Sequence, residues 1–187
     1  MFFPPKKISK EKDDIDLAKS GDSDAFVRLM EAHKLSLYKV GKSYLKSDED
    51  VADAMQETIL KAFHSIHKVR ENLYFKTWLT RIMIHECINI LRKSQRIIPV
   101  EEFASDLLIK EEKFYEGQGI FEQVQKLPKE IAQVIVLFYY EDHSCQTISK
   151  MLGIPESTVR TRLNRGRNRL RNLLRLEGDQ ADEKGRK

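Results

Sequence analysis

What this chain lacks narrows its class before any motif is read. Only two cysteines occur among 187 residues, Cys87 and Cys145, far apart and in apolar helical contexts. No disulfide framework or zinc ribbon follows from such a pair, and a reducing compartment fits. Eight glycines and five prolines are low counts. An all-β sandwich or barrel needs a turn about every ten residues, so this scarcity favours long helices. The most apolar stretch, near Ile131 to Tyr140, is too short to span a bilayer. The opening MFFPPKKISKEKDD turns charged after a few residues instead of entering the apolar core of a signal peptide, so the expected location is the cytoplasm.

Catalytic signatures are missing as well. The sequence holds no Gly-rich phosphate loop and no nucleophile motif. His85-Glu86 begins like the zinc-protease HExxH pattern, but the residue four after His85 is Asn89, so the second imidazole is absent. His64 and His67 lie three apart, yet no Cys or carboxylate set completes a tetrahedral site, and the pair reads as ordinary helix surface. The expectation is a protein that is not an enzyme, with no catalytic residue, no metal, no cofactor and no small-molecule substrate.

What the chain does have is charge, on 33% of its residues, beside 41% apolar ones, the balance of a globular protein with solvated helices. The net charge of +4 is modest, but its distribution is uneven. Residues 100 to 122 carry Glu101, Glu102, Asp106, Glu111, Glu112, Glu116 and Glu122 against Lys110 and Lys113, whereas residues 155 to 175 carry seven arginines against Glu156 alone. A basic stripe confined to one segment is the footprint of a polyanion-binding surface. That the cations there are all Arg strengthens it, because Arg forks onto phosphates and guanine edges where Lys is a point charge.

Helical periodicity organises the chain. Residues 24 to 46 space Phe26, Leu29, Met30, Leu37, Val40 and Tyr44 along one face after a GDSD capping segment. A second helix starts at Ser47 to Asp50 and is expected to bury Val51, Met55, Ile59, Ala62 and Ile66, leaving Asp50, Asp53, Gln56 and Glu57 outside. A third, from about Phe75 to Lys93, is expected to bury Leu79, Ile82, Met83, Cys87, Ile90 and Leu91. The pattern loosens between Ser94 and Gly119 and resumes from Ile120. The fold class expected is all-α, with two small helical domains joined by an acidic linker. The boundaries expected are a tail at 1–12, a first domain at 13–93, a linker at 94–119, a second domain at 120–175 and a charged tail at 176–187.

Two surfaces carry chemistry. In residues 144 to 175, a short helix with Ile148, Met151 and Leu152, then Gly153 for a tight turn, Ile154, and Pro155 at a new helix start make the helix-turn-helix layout. Its second helix buries Val159, Leu163, Gly166, Leu170 and Leu174 and faces Ser157, Arg160, Thr161, Asn164, Arg165 and Asn168 outward, the groups that a recognition helix brings to base edges in the major groove. The third helix shows an outer stripe of Trp78, Arg81, His85, Asn89 and Arg92, preceded by Tyr74 and Phe75. An aromatic ring among cations and hydrogen-bonding edges suits unstacked bases.

Taken together, KSGDSDAFVRLMEAH, SDEDVADAMQETILKAF, FKTWLTRI and GIPESTVRTRLNRGRNRLR, in this order and at these separations, resemble an extracytoplasmic-function sigma factor of bacterial RNA polymerase, over roughly residues 13 to 175. The resemblance implies a sigma-two domain at 13–93 and a sigma-four helix-turn-helix domain at 120–175. It implies core RNA polymerase and promoter DNA as partners, with a membrane-associated anti-sigma factor as the usual holder. Asp50, Asp53, Gln56 and Glu57 become candidate core-binding residues. Asn72, Tyr74, Phe75, Lys76, Trp78, Arg81, His85 and Asn89 become candidates for the single-stranded −10 element. Ser157, Arg160, Thr161, Asn164 and Arg165 become candidates for the −35 duplex. At the position of His85 the family often has Asn, with the second polar position kept as Asn89, so a shifted −10 base preference is expected. The rival reading is a stand-alone helix-turn-helix regulator that binds duplex DNA by itself; it gives the Trp78 stripe and the acidic helix face no task.

Overall fold

Helix ends in the first half of the chain are set by short polar side chains and one glycine. The computed structural model describes residues 6–96 and 118–184, with side chains from 11 to 94 and from 119 to 174. Most of the segment read as an acidic linker lies outside the described residues. The chain divides into two compact units, Met1–Leu91 and Arg92–Lys187. Among the described residues there is no strand, and no helix is long and apolar enough to cross a membrane.

The first unit holds α1 (Lys6–Lys19), α2 (Ser23–Tyr44), α3 (Asp48–Ser65), two 3-10 turns (Ile66–Lys68 and Asn72–Tyr74) and α4, which runs from Phe75 to Arg96. Gly21, at φ 101°, ends α1 in the left-handed region. Its N–H donates to the carbonyl of Ala18, and the N–H of Asp22 donates to that of Leu17, the Schellman pattern that satisfies orphan carbonyls. Asp22 then caps α2, its carboxylate accepting from the N–H of Ala25 at 2.9 Å. Ser47 caps α3 by accepting from the N–H groups of Glu49 and Asp50, and the acids of that first turn sit where the helix dipole favours them.

The helix α1 was not read from the sequence. It begins inside residues 1–12, assigned there to a tail, and its polar side chains tie it to α2: Arg28 donates to Asp14 at 2.6 Å, and His33 pairs with Glu11 at 3.0 Å. The buried face of α3 also differs from expectation. Val51, Ala54, Thr58 and Ala62 are buried, with Met55 and Ile59 only half-buried. Small residues allow the turn toward the core. A β-carbon on Gly41 of α2 would lie 2.8 Å from Val51 and 2.7 Å from Met83, so the three helices meet at van der Waals distance there. The Thr58 hydroxyl is satisfied by donating to the carbonyl of Ala54 at 2.7 Å. In α4 the buried positions are Phe75, Leu79, Thr80, Met83, Ile84, Glu86 and Cys87, whereas Ile82, Ile90 and Leu91 are half-buried.

The second unit holds α5 (Gln118–Gln125), α6 (Lys129–Tyr139), α7 (Cys145–Leu152) and α8 (Glu156–Lys184). The apolar stretch seen in the sequence is α6, whose Ile131, Val134, Ile135, Val136 and Leu137 form the centre of this core with Val124, Ile148, Val159 and Leu163. Ser144 caps α7 by accepting from the N–H of Thr147 at 3.1 Å. Gly153, at φ 64°, ends it. The turn is closed by the N–H of Ile154 donating to the carbonyl of Ser149 and by the Ser149 hydroxyl donating back to the carbonyl of Ile154 at 2.6 Å. The backbone of α8 then runs past Arg175 to Lys184, through most of the segment assigned to a C-terminal tail.

Candidate nucleic-acid interface

Two surfaces present the groups singled out by the sequence for DNA, one on each unit. On the first, Trp78, Arg81, His85 and Asn89 follow one another along α4 at one-turn intervals, as helical spacing demands. Trp78 and Asn89 are half-buried, and Arg81 and His85 are exposed. The structure adds what the sequence did not give, the opposite wall. Lys61, His64 and Ser65 of α3 and Lys68 of the following 3-10 turn face Trp78, Arg81, Ile82 and His85 across an open groove of about 610 Å³, with Glu86 at its floor. The groove thus has five basic or imidazole side chains, one aromatic ring and one carboxylate. Periodicity on a single helix cannot show which residues of another helix share its groove, which is why Lys61, His64 and Lys68 were missed.

Glu86 organises this groove. Its side chain is 6% exposed; it accepts from Lys61 Nζ at 2.6 Å and from Asn89 Nδ2 at 3.3 Å, and its Oε1 lies 2.9 Å from His85 Nδ1. Burial raises its pKa, but the contacts with His85, Lys61 and Asn89 and the Lys61 charge outweigh it and hold the pKa below the usual carboxylate value. The carboxylate is therefore ionised, and it links α3 to α4 and two of the expected base readers to each other.

The loop before α4 separates into side chains that face out and side chains that hold it in place. Tyr74 is 60% exposed and Leu73, which the sequence reading left aside, is 82% exposed. Asn72 is occupied by α1: its amide nitrogen donates to Asp16 Oδ1 at 2.7 Å and its oxygen accepts from Lys19 Nζ at 3.1 Å. Phe75 is 1% exposed, with ring contacts to His33 at 5.5 Å and Trp78 at 5.8 Å. Both had been grouped with the strand-contacting residues. Phe75 is enclosed in the core beneath Trp78, and Asn72 ties the loop to α1. Lys76 is half-buried at the first turn of α4.

On the second unit, Ser157, Arg160, Thr161, Asn164, Arg165 and Asn168 are exposed on α8, opposite buried Val159, Leu163 and Gly166. By the 100° step, Ser157, Thr161, Asn164 and Asn168 form a neutral hydrogen-bonding stripe. Arg160, Arg167 and Arg171 border it on one side and Arg165 and Arg169 on the other. Arg160 is engaged by Glu156 one turn earlier, at 2.6 Å. A β-carbon on Gly166 would lie 2.8 Å from Ile135, so this glycine sets how deeply α8 seats on α6.

The third group of expected residues lies on α3, where Asp53, Gln56 and Glu57 are exposed and Asp50 is half-buried. Leu60, 54% exposed one turn further along, extends that acidic face with an apolar residue. Phe63 is 49% exposed, with a ring contact to Phe26 at 5.2 Å. Among the described residues no group of three or more His, Cys, Asp or Glu stands close enough to hold a metal ion, and His64 enters the groove as one of its basic walls.

Comparison with known proteins matches both units. A family model described as Sigma-70 region 2 matches residues 29–97, and one described as Sigma-70, region 4 matches residues 118–170. RNA polymerase sigma factor SigV of Bacillus subtilis (strain 168) is 32% identical over 146 residues, which cover 78% of this chain and 88% of the relative. ECF RNA polymerase sigma factor SigW of the same organism is 30% identical over 173 residues, covering 84% and 92%. Among solved structures, RpoE in complex with the anti-sigma factor NepR from Bartonella quintana aligns with a TM-score of 0.61 at 21% identity, over 80% of this chain and 96% of that one. CnrH in complex with the cytosolic domain of CnrY aligns with a TM-score of 0.59 at 22% identity, over 89% and 98%. These two structures share the fold.

Proposed function

The chain belongs to the extracytoplasmic-function group of RNA polymerase sigma factors, and from that premise we infer how its surfaces divide the work of starting transcription. As a sigma factor it acts by binding: it joins core RNA polymerase and directs it to promoters. The reading assigned to each surface is ours. The α3 face with Asp50, Asp53, Gln56, Glu57 and Leu60 docks on the polymerase, its carboxylates steering and registering the encounter. The α4 groove with Trp78, Arg81, His85 and Asn89, beside Tyr74, takes up the unpaired −10 bases: an aromatic face stacks, cations neutralise phosphates and polar edges read. The α8 stripe enters the major groove of the −35 duplex, with Ser157, Thr161 and Asn164 toward base edges and the arginine borders toward phosphates or guanines.

The observation that carries this division is the groove. A protein that reads only duplex DNA has no use for a concave site combining Trp78 with three cationic and two imidazole side chains on a unit separate from its helix-turn-helix. Action on RNA polymerase, as in the related sigma factors, supports the cytoplasm as its location. The complexes of related fold with anti-sigma proteins support an inhibitor of the same kind as a further partner, one that a pull-down of the native complex from cells would identify.

The discriminating experiment compares purified protein alone with protein plus core polymerase on a promoter fragment. Specific binding and strand opening are expected only in the mixture. Sequence-specific binding by the isolated chain, unaffected by core polymerase, would instead establish the stand-alone regulator.

A further inference from the structure

The −10 groove contains one feature that stacking and charge do not require: a buried carboxylate in contact with the imidazole that lines it. We propose that Glu86 is a positioning residue that fixes the tautomer of His85. The imidazole then presents an acceptor to the groove and, where it meets the major-groove edge of a −10 base, selects one with an amine on that edge, adenine or cytosine. The proposal rests on the reading of α4 as the single-strand face.

The contacts of Nδ1 point to where the proton sits. His85 Nδ1 lies 2.9 Å from Glu86 Oε1 and 3.1 Å from Asn89 Nδ2. A lone pair on Nδ1 would face a carboxylate oxygen at hydrogen-bond distance, which is repulsive. A proton there makes a charge-assisted bond, and Asn89 Nδ2 has its own acceptor in Glu86 Oε2. Lys61 Nζ, 2.6 Å from Oε2, favours the ionised form of Glu86, which is a pure acceptor. In neutral His85 the other nitrogen, Nε2, is then bare of hydrogen, on a side chain that is 66% exposed and lines the groove. Nε2 has no hydrogen-bond partner among the described residues. On the major-groove edge adenine N6 and cytosine N4 are donors, whereas guanine offers O6 and N7 and thymine O4, all acceptors, so an acceptor at Nε2 facing that edge separates the two classes. The neighbouring Lys61, Lys68 and Arg81 are donors only and suit phosphates better than amines.

Glu86→Gln reverses the arrangement with almost no change in shape. Both Lys61 and Asn89 donate to Oε2, so the amide oxygen of the glutamine must occupy that place. Its NH2 then takes the position of Oε1 and faces His85 Nδ1. That nitrogen becomes an acceptor, the proton moves to Nε2, and the groove presents a donor.

Two measurements test this. Long-range proton–nitrogen NMR of the full chain, with His85 assigned through His85→Asn, is expected to show the Nδ1–H form in the parent and the Nε2–H form in Glu86→Gln. An Nε2–H parent overturns the proposal whatever the variant does. Holoenzymes carrying parent or Glu86→Gln are then compared by permanganate footprinting on a panel of −10 variants. The expected result is a swing at one position from adenine or cytosine toward guanine or thymine, on the order of tenfold. A switched tautomer with the parental base preference retained overturns the inference. Trp78→Ala in the same assay separates the two levels: a lost bubble keeps the single-strand reading, so the outcome for Glu86→Gln judges the tautomer alone, whereas an intact bubble removes both.

Discussion

The face on α4 and the face on α8 both suit DNA, and they are built on opposite plans. The first is a groove walled by two helices, with an aromatic ring, a buried acid on its floor and base readers tied to each other through that acid. The second is the convex side of one helix, without an aromatic, its readers standing one turn apart between rows of arginine. The difference follows from what each must meet. A base pulled out of its stack needs a surface to replace the stacking it lost and fixed polar groups around its edge, whereas a base in duplex is already stacked and offers only its major-groove edge. Pre-organisation therefore lies in the first unit and adaptability in the second.

The strongest way to break the comparison is to damage one unit and ask whether the other notices. Gly166→Val drives a branched side chain into Ile131 and Ile135 and is expected to destabilise the second unit by up to about 3 kcal/mol. Protection against amide hydrogen exchange should fall in α6 to α8 and stay unchanged in α2 to α4. Arg165→Ala comes next. A guanine contact predicts a loss of roughly 1–3 kcal/mol and relaxed preference at one −35 base pair. A phosphate contact instead predicts uniform weakening and a salt slope flatter by about one. Titrations of the holoenzyme on −35 variants at several salt concentrations separate them.

Smaller effects are expected on the outer face of α3. Charge reversal of Asp53 and Glu57 should weaken assembly with core polymerase by about 1 kcal/mol or less per exposed charge, mainly through the association rate, with the thermal unfolding of the free chain unaltered. Unchanged polymerase affinity in the double variant would remove α3 from the docking surface. The smallest effect separates the two units by pH. The pKa of Glu86 is lowered in the fold, so its stabilising contribution is complete above the ordinary glutamate value and disappears as pH falls through the lower folded value. Denaturant titrations below pH 5 should therefore show the parent losing stability in a window where Glu86→Gln is flatter.

The all-α class, the two-domain order and the helix-turn-helix were legible because each rests on local signals: Ser47, Ser144 and Gly153 act at the helix ends where their types suggest. The exposed parts of the α4 and α8 stripes followed from one helical period. What escaped depended on contacts between distant segments. The mean character of α1 is polar, and its place is fixed by Asp14 to Arg28, Glu11 to His33 and Asp16 to Asn72, pairs that no local pattern reveals. For the same reason the tie of Asn72 to α1 and the burial of Phe75 in the core could not be read from local pattern. Glu86 falls among apolar positions of α4, and its role as the link between Lys61, His85 and Asn89 emerges only when α3 lies beside α4.

The division of labour between the two faces is tested most directly by crossing two variants in one assay. Holoenzymes with Trp78→Ala or Arg165→Ala are measured for closed-complex formation on a duplex promoter and for permanganate reactivity of −10 thymines. Stacking is worth about 1–3 kcal/mol per base, comparable with the cost of unstacking it. Trp78→Ala should therefore form the closed complex as the parent does and lose most −10 reactivity, whereas Arg165→Ala should form less complex and open in proportion to what binds. Full −10 reactivity in Trp78→Ala would contradict the assignment of the α4 groove to the melted strand.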